Sequence, residues 1–358
     1  MFSHPRAWVE VDLGALRRNG AALAKRSGVP LLAVIKADGY GLGAARVARA
    51  LESLEPWGFG VAAVAEGIEL REAGIERPIL VLSPVLTDEH SDIRAHALRP
   101  SLGDPLAIEQ WQRAGGGPWH LSIDTGMSRA GMQWCDVARY STLLASADPE
   151  GAYTHFHSAD MNDASVEQQL GRYRSTLACL AKRPRYLHAE NSPALERGGR
   201  SEWDLARPGV FLYGVGSGEG ATIWPEPVVS LRARVIETRT ISDGECVSYT
   251  ASWHASGERR IATLGIGYAD GYRRALSNRG QALIRGKRAS IAGIVTMDMI
   301  MLDVTGMECE VGDVATLIGR DGDDELTVND VAATAQVLSY ELLVGLKLRV
   351  PRMYGDDA

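Results

Sequence analysis

Between about residues 30 and 215 the chain alternates short apolar runs with helical stretches, and this alternation is the feature that most limits its fold. Repeated βα units predict a parallel sheet with helices packed on it. So many units in a segment of this length favour a closed (β/α)8, TIM-like barrel over an open sheet, so we predict an α/β fold. The strand candidates are Leu31–Ile35, Phe59–Ala62, Ile79–Leu82, Leu121–Ile123, Gly151–His155, Tyr186–His188 and Val210–Tyr213.

The pattern changes after a glycine-rich segment at 214–220 and the sequence Trp-Pro-Glu-Pro at 224–227. Short alternating strands separated by turns follow, which predicts a mostly β domain. We therefore predict a barrel domain over residues 1–225 and a C-terminal β-rich domain over residues 226–358.

Composition excludes several classes of function. The formal net charge of −7 over 358 residues argues against nucleic acid as the main partner, because phosphate binding requires a basic face. The amino terminus has no apolar leader and no window has the length of a membrane span. The four cysteines lie far apart without metal-ligand spacing, so we expect reduced thiols in the cytoplasm and no metal site.

Lys36 closes the apolar run at residues 31–35 and is the first candidate for chemistry. The carboxyl ends of strands are where α/β proteins build their active sites. Partial burial lowers the pKa of an ε-amine, and a neutral amine can act as a nucleophile and form Schiff bases. Gly39, Gly41 and Gly43 then allow a tight turn into a helix that starts near Ala44.

Further polar side chains follow the predicted strands. Asp124, Arg129, His155 and His188 would emerge at the same end of a barrel as Lys36, and together they suggest a site for an anion or a planar cofactor. A phosphate cradle is also visible, because a hydroxyl and glycine-proximal amides suit phosphate oxygens. Its sequences are Asn191-Ser192-Pro193 and Arg207-Pro208-Gly209-Val210.

The β-rich part contributes Val247-Ser248-Tyr249 and a cluster of glycine and tyrosine around Tyr268. A tyrosine can transfer protons only where a nearby cation lowers its pKa. Taken alone, such tyrosines are better explained as residues that cover a core and present a hydroxyl to solvent.

Together and in this order, these motifs resemble the bacterial alanine racemase family over nearly the whole chain. They are Ala33-Val34-Ile35-Lys36-Ala37-Asp38-Gly39-Tyr40-Gly41, Asp124-Thr125-Gly126-Met127-Ser128-Arg129, Tyr153-Thr154-His155-Phe156, Asn191-Ser192, Arg207-Pro208-Gly209, Val247-Ser248-Tyr249, Gly267-Tyr268-Ala269-Asp270-Gly271, Met297-Asp298 and Arg349-Val350-Pro351-Arg352. The resemblance implies a pyridoxal 5'-phosphate (PLP) enzyme with a barrel and a β domain.

The resemblance also implies a role for each matching residue. Lys36 would bind the cofactor covalently and act as one acid/base group, and Tyr249 of a partner subunit would act as the other. The phosphate ligands would be Tyr40, Ser192 (with Asn191 beside it), Gly209 and Val210.

Around the cofactor ring, Arg207 would face the pyridine nitrogen with His155 beside it, and His188 would lower the pKa of Tyr249. Arg129 would lie near the phenolic oxygen and the substrate. Tyr268 and Met297, also from the partner, would contact the substrate side, which requires a homodimer with shared sites.

Three places depart from the family pattern, and one of them is Thr250-Ala251, which replaces a more usual glycine-containing sequence after Tyr249. Ser122 stands where many members have a lysine, so we expect another group, such as a chloride ion, to orient Arg129. Leu348 stands where some members have a phosphate-binding tyrosine, so one phosphate contact would be missing.

The expected reaction is interconversion of L- and D-alanine by two bases, which would supply D-alanine for peptidoglycan. A broader amino-acid racemase, acting for example on serine, stays open because of Ser122. A PLP-dependent decarboxylase is disfavoured by Arg207, and a non-catalytic PLP homeostasis protein by the presence of a second domain.

Overall fold

The protein is described from a computed structural model, which covers residues 5–161 and 163–355. Parallel strands of the first domain follow one another around a barrel in chain order. The irregular segment 205–208 closes it, because Leu32 N donates to Ala206 O and Val34 N to Pro208 O, both at 2.8 Å. The predicted barrel is therefore confirmed. Its strands are β2 (Leu32–Val34), β3 (Gly58–Val61), β4 (Ile79–Pro84), β5 (Arg99–Leu102), β6 (His120–Asp124), β8 (Gly151–Tyr153) and β9 (Tyr186–His188), with a short β7 (Met132–Gln133) beside β6.

Helices surround the barrel, and several begin at a side-chain cap that accepts an otherwise unpaired backbone N–H. Asp12 caps α1 and Asp104 caps α6 in this way. The helices of this domain are α1 (Leu13–Ser27), α2 (Lys36–Gly41), α3 (Ala44–Leu51), α4 (Val64–Glu72), α5 (His90–Ala95), α6 (Pro105–Arg113), α7 (Ser141–Ala147), α8 (Ser165–Ala178) and α9 (Ser192–Arg197).

The second domain is mostly β, as predicted. Six antiparallel strands (β10, β11, β14, β13, β12 and β15) close on themselves because β15 also pairs with β10. Buried residues alternate along the first part of β10, which places one face in the core. The elements are β10 (Val229–Ile241), β11 (Arg259–Leu264), β12 (Gln281–Ile284), β13 (Lys287–Ile291), β14 (Ile300–Asp303), β15 (Val314–Asp321), β16 (Asp324–Leu326), α10 (Val328–Ala335), α11 (Ser339–Val344) and β17 (Arg352–Gly355).

One expectation about these elements, a strand at Val210–Tyr213, was wrong, and the N-terminal strand is one that the sequence analysis did not predict. The N-terminal strand β1 (Ala7–Asp12) pairs with β10 and β17 and so belongs to the second sheet, although it lies within the predicted barrel domain. Val210–Tyr213 is a 3-10 helix and not a strand. Its last three residues are fully buried, and a short apolar run of this kind has no periodicity that separates a strand from a buried helical turn. The boundary near residue 225 stays a prediction.

Within residues 5–161 and 163–355, no helix combines the length and the apolar character that a membrane span requires. The same described ranges contain no group of three His, Cys, Asp or Glu side chains placed to hold a metal ion.

Candidate active site

A cavity of about 740 Å³ opens where the barrel strands end, and most of the predicted site residues meet there. Its wall combines three cationic side chains with hydroxyl groups and a glycine. The predicted residues that line it are Lys36, Tyr40, Arg129, His155, Asn191, Ser192, Arg207, Gly209 and Val210. These residues lie up to half the chain apart in the sequence, and closure of the barrel brings them together.

Lys36 enters this cavity from a left-handed turn. Ala37, Asp38 and Tyr40 have φ angles of 54°, 53° and 54°, a region that costs about 1–2 kcal/mol for each non-glycine residue. The Glu66 carboxylate secures the turn by accepting the Ala37 N–H at 2.6 Å and two backbone N–H groups at the end of β3. Burial lowers the pKa of Lys36, and Arg129 lowers it further, while Glu66 opposes both. The lowered pKa makes the Lys36 amine easier to deprotonate.

Arg207 is a buried guanidinium at the base of the cavity. Its Nη2 donates to Thr154 O at 2.5 Å and to Ala189 O at 3.0 Å, and its Cζ lies 5.0 Å from the Tyr153 ring centroid. Burial lowers its pKa to about 10, so it remains charged at neutral pH. Burial and the neighbouring cations, Arg207 foremost, lower the pKa of His155 to about 3. His155 is therefore neutral beside a fixed positive charge.

The predicted role of His188 was wrong. This side chain is fully buried behind Arg207, and its Nδ1 accepts a hydrogen bond from Arg207 Nη1 at 2.7 Å. Its other ring nitrogen is 2.8 Å from His120 Nδ1. With both nitrogens engaged inside the barrel, His188 cannot contact a tyrosine that arrives from another subunit. His155, which lines the cavity, is the histidine exposed to such a group.

A cradle for an anion lies beside Lys36. Ser192 Oγ accepts the backbone N–H of Gly209 at 2.9 Å, and Asn191 caps α9 through Ala194 N. A Cβ at position 209 would lie 2.7 Å from Tyr40 Oη, so only glycine leaves room here. Burial raises the pKa of Tyr40 to about 12, which keeps its hydroxyl protonated as a donor. Hydroxyl and backbone amide donors suit the oxygens of a phosphate group.

The sequence analysis missed Tyr340. This residue lies on α11 and lines the cavity together with the cradle residues, whereas Leu348 is 85% exposed and outside it. Tyr340, and not position 348, is therefore the place from which this part of the chain reaches the cavity wall, and the predicted loss of a phosphate contact stays a prediction. The available signal was spacing on α11, because Tyr340 and Val344 are four residues apart, share one helix face, and both line the cavity.

Arg129 is carried by a loop that Asp124 organises. One oxygen of Asp124 accepts the backbone N–H groups of Gly126, Met127 and Ser128, at 2.8 to 3.1 Å. No hydrogen bond joins the Arg129 guanidinium to another described residue, and the expected orienting group outside the chain stays a prediction.

Tyr249, Tyr268 and Met297 are not brought to the cavity of their own chain. They project from the second domain with exposed fractions of 70%, 40% and 52%. Tyr249 sits between two residues with positive φ, Ser248 at 68° and Thr250 at 64°, a strained turn of the kind that clusters at functional sites. These side chains could complete a site only across a subunit boundary.

Comparison with known proteins places this geometry in a family. The profile "Alanine racemase, N-terminal domain" matches residues 11–217, and "Alanine racemase, C-terminal domain" matches residues 228–354. The alanine racemase of Symbiobacterium thermophilum is 40% identical, over 98% of this chain and 97% of that relative.

Solved structures agree with this result. The alanine racemase of E. faecalis superposes with a TM-score of 0.94 at 33% identity and covers 99% of both chains. The alanine racemase of Bartonella henselae, solved with covalently bound pyridoxal phosphate, has a TM-score of 0.91 at 29% identity, over 98% of this chain and 100% of that chain.

Proposed function

The chain belongs to the alanine racemase family, and from this premise we propose that it interconverts L-alanine and D-alanine with PLP as its cofactor. The observation that carries the proposal is the joint placement of Lys36, a charged and buried Arg207, and an anion cradle in one cavity. A relative with bound pyridoxal phosphate supports the choice of cofactor.

The cavity fits this cofactor. Tyr40, Ser192, Gly209 and Val210 would hold the phosphate, and the glycine at 209 leaves the space that a Cβ would fill. Lys36 would form the covalent link to the cofactor aldehyde. When bound, PLP supplies an electron sink for the charge that develops on the substrate α-carbon.

The side chains of the cavity determine which protons are transferred. Arg207 lines the cavity and is charged, and a positive charge next to the pyridine nitrogen would oppose protonation of that nitrogen. A site of this kind favours prompt return of the α-proton and disfavours decarboxylation, for which we would expect a carboxylate at this position. Lys36, whose pKa is lowered by burial, can remove or return a proton on one face of the substrate.

The second base in this proposal is Tyr249 of a partner subunit. Racemisation needs proton exchange on both faces of the α-carbon, and Lys36 serves only one of them. The exposure of Tyr249, Tyr268 and Met297 supports their insertion into a partner's cavity. We therefore propose a homodimer with two shared sites.

The proposed physiological role is supply of D-alanine for peptidoglycan. The cysteines at 135, 179, 246 and 309 are free thiols, the state that a reducing compartment maintains, so the proposal assigns the enzyme to the cytoplasm.

The reaction is tested by incubating the PLP-loaded protein with L-alanine in D2O and analysing the product by chiral chromatography and mass spectrometry. We expect D-alanine that carries deuterium at the α-carbon. Serine belongs in the same assay because Ser122 leaves a broader racemase open. Absence of both D-alanine and α-proton exchange would refute the proposal.

The shared site is tested by mixing two inactive variants, Lys36→Ala and Tyr249→Phe. A mixed dimer has one cavity with both bases intact, so random re-pairing should restore about one quarter of the wild-type activity. If both bases came from one chain, mixing would restore none.

A further inference from the structure

A line of polar side chains crosses the interior of the barrel behind the cavity. Arg207 Nη1 lies 2.7 Å from His188 Nδ1, and His188 Nε2 lies 2.8 Å from His120 Nδ1. His120 Nε2 then lies 3.7 Å from a carboxylate oxygen of Glu150. Arg207 faces the cavity at the carboxyl end of the strands, whereas Glu150 immediately precedes β8 at the opposite end and pairs with Arg99.

Neighbouring residues of the barrel leave space for this line of side chains and pack against it. Position 151 pairs with position 120 across β6 and β8, and a Cβ at Gly151 would lie 2.5 Å from the His120 ring. The His188 ring stacks on Tyr153, with centroids 5.0 Å apart and an interplanar angle of 13°. Both histidines are fully buried. The His120 ring therefore occupies space that is available only because residue 151 is a glycine.

The direction of every hydrogen bond in the line follows from Arg207. A guanidinium can only donate, so His188 Nδ1 must be unprotonated and accept. The proton of a neutral His188 is then on Nε2, from which it is donated to His120 Nδ1. The proton of His120 is in turn on Nε2, directed at Glu150.

The electrostatics agree with this assignment. Burial lowers the pKa of both histidines, and the Arg207 charge adds to the effect, so both are neutral at pH 7. Burial alone would raise the pKa of Glu150, but its cationic neighbour Arg99, which donates hydrogen bonds to it, and the nearby His120 lower it to about 2. The line therefore runs from a fixed cation through two neutral imidazoles to a fixed anion.

We propose that His120 and Glu150 are positioning residues that act on Arg207 through His188, holding both histidines as Nε2–H tautomers and the guanidinium in its orientation toward the cavity. The functional consequence rests on the proposed role of Arg207 toward the cofactor, whereas the tautomers can be measured independently of any reaction. In this proposal, residues at the opposite end of the barrel hold Arg207 in its position at the cavity.

The first test is 15N NMR of the holoenzyme labelled at histidine. We expect His188 and His120 to show unprotonated Nδ1 and protonated Nε2 at pH 7. An Nδ1–H tautomer or a doubly protonated ring at either position would overturn the proposal, whether or not the protein racemises alanine.

The second test uses a matched pair at His120. In His120→Asn the amide oxygen can take the place of Nδ1 as acceptor, whereas His120→Leu removes the acceptor and leaves the His188 Nε2–H unpaired. We expect His120→Leu to lose about 10-fold or more in kcat and in cofactor affinity and to change the absorption spectrum of the bound cofactor, with partial recovery in His120→Asn. Equal losses that follow thermal stability alone would show a merely structural role.

The far end is tested by Glu150→Gln against Glu52→Gln. Each glutamate pairs with an arginine at 2.6 Å on the barrel, Arg99 and Arg77 respectively, but only Glu150 approaches the line. We expect Glu150→Gln to shift the His120 resonances and Glu52→Gln to leave them in place. Unchanged His120 resonances in Glu150→Gln would exclude Glu150 from the proposed role.

Discussion

Glu66 secures the turn that carries Lys36, and its replacement is a sharp test of how the site is built. Its carboxylate accepts the Ala37 N–H at 2.6 Å, and the N–H groups of Ala62 and Ala63 at 2.7 and 3.2 Å. The turn it holds includes three non-glycine residues with positive φ. Without these bonds the left-handed conformation, at about 1–2 kcal/mol per residue, loses its main local restraint.

The expected magnitude follows from these contacts. A hydrogen bond to a charged group contributes about 1.5–3 kcal/mol when buried, but Glu66 is partly exposed, so we expect Glu66→Ala to lower the free energy of unfolding by about 2–4 kcal/mol. A displaced Lys36 should also reduce kcat by about 100-fold, the scale for a misplacement of roughly 1 Å. Glu66→Gln keeps one acceptor oxygen and should lose about half as much stability.

The charge of Glu66 gives the same variants a pH signature. Glu66 raises the pKa of Lys36, so its removal should lower that pKa further below the 10.5 of a free lysine. Only the neutral amine reacts with the cofactor aldehyde, so the rate of PLP attachment to apoenzyme rises with pH through the Lys36 pKa. In Glu66→Gln the midpoint of this rise should move to lower pH.

The assays are urea unfolding of apoenzyme followed by circular dichroism, steady-state kinetics, and PLP attachment followed by absorbance. Glu69→Ala is the matched control, because this exposed carboxylate lies on the same helix and its side chain makes no hydrogen bond to the described residues. Wild-type stability and kcat in Glu66→Ala, or a midpoint that moves to higher pH in Glu66→Gln, would refute the reasoning.

Three further predictions concern the cavity wall. Gly209→Ala should weaken PLP binding by about 10-fold or more in equilibrium dialysis, because the new methyl group occupies the cradle, while Gly199→Ala, which has open space, should not. Tyr340→Phe should weaken PLP binding by about 5-fold to 10-fold without a change in thermal stability, since it removes one hydroxyl donor; unchanged binding would exclude Tyr340 from the cradle. Arg129→Gln should raise the Lys36 pKa and move PLP attachment to higher pH, the opposite direction to Glu66→Gln.

Local pattern was sufficient for much of the fold. The repeated βα units predicted the barrel, and the change near residue 225 predicted the β domain. Lys36 could be identified because a lysine at the end of an apolar strand conflicts with local burial preference. The resemblance to a known family then supplied roles for residues whose motifs are specific only as an ordered set.

Long-range packing decided what the pattern could not. Whether His155 or His188 faces the cavity depends on how β8 and β9 are placed relative to each other in the barrel. The sequence of either strand alone does not contain this information. Tyr340 was missed because its helix lies far along the chain and reaches the cavity only through the packing of the second domain. For the same reason, the sequence pattern did not indicate that residues 7–12 form a strand of the second sheet.

The sequence by itself determined most of the element types, the barrel and most of the reactive groups, because these depend on periodicity and on residue chemistry within short windows. Only the tertiary structure decided that Glu66 supports Lys36, that a line through His188 and His120 supports Arg207, and that Tyr249 projects away from its own cavity. Hydrogen bonds and burial join residues that are tens of positions apart, and no local pattern records such pairings.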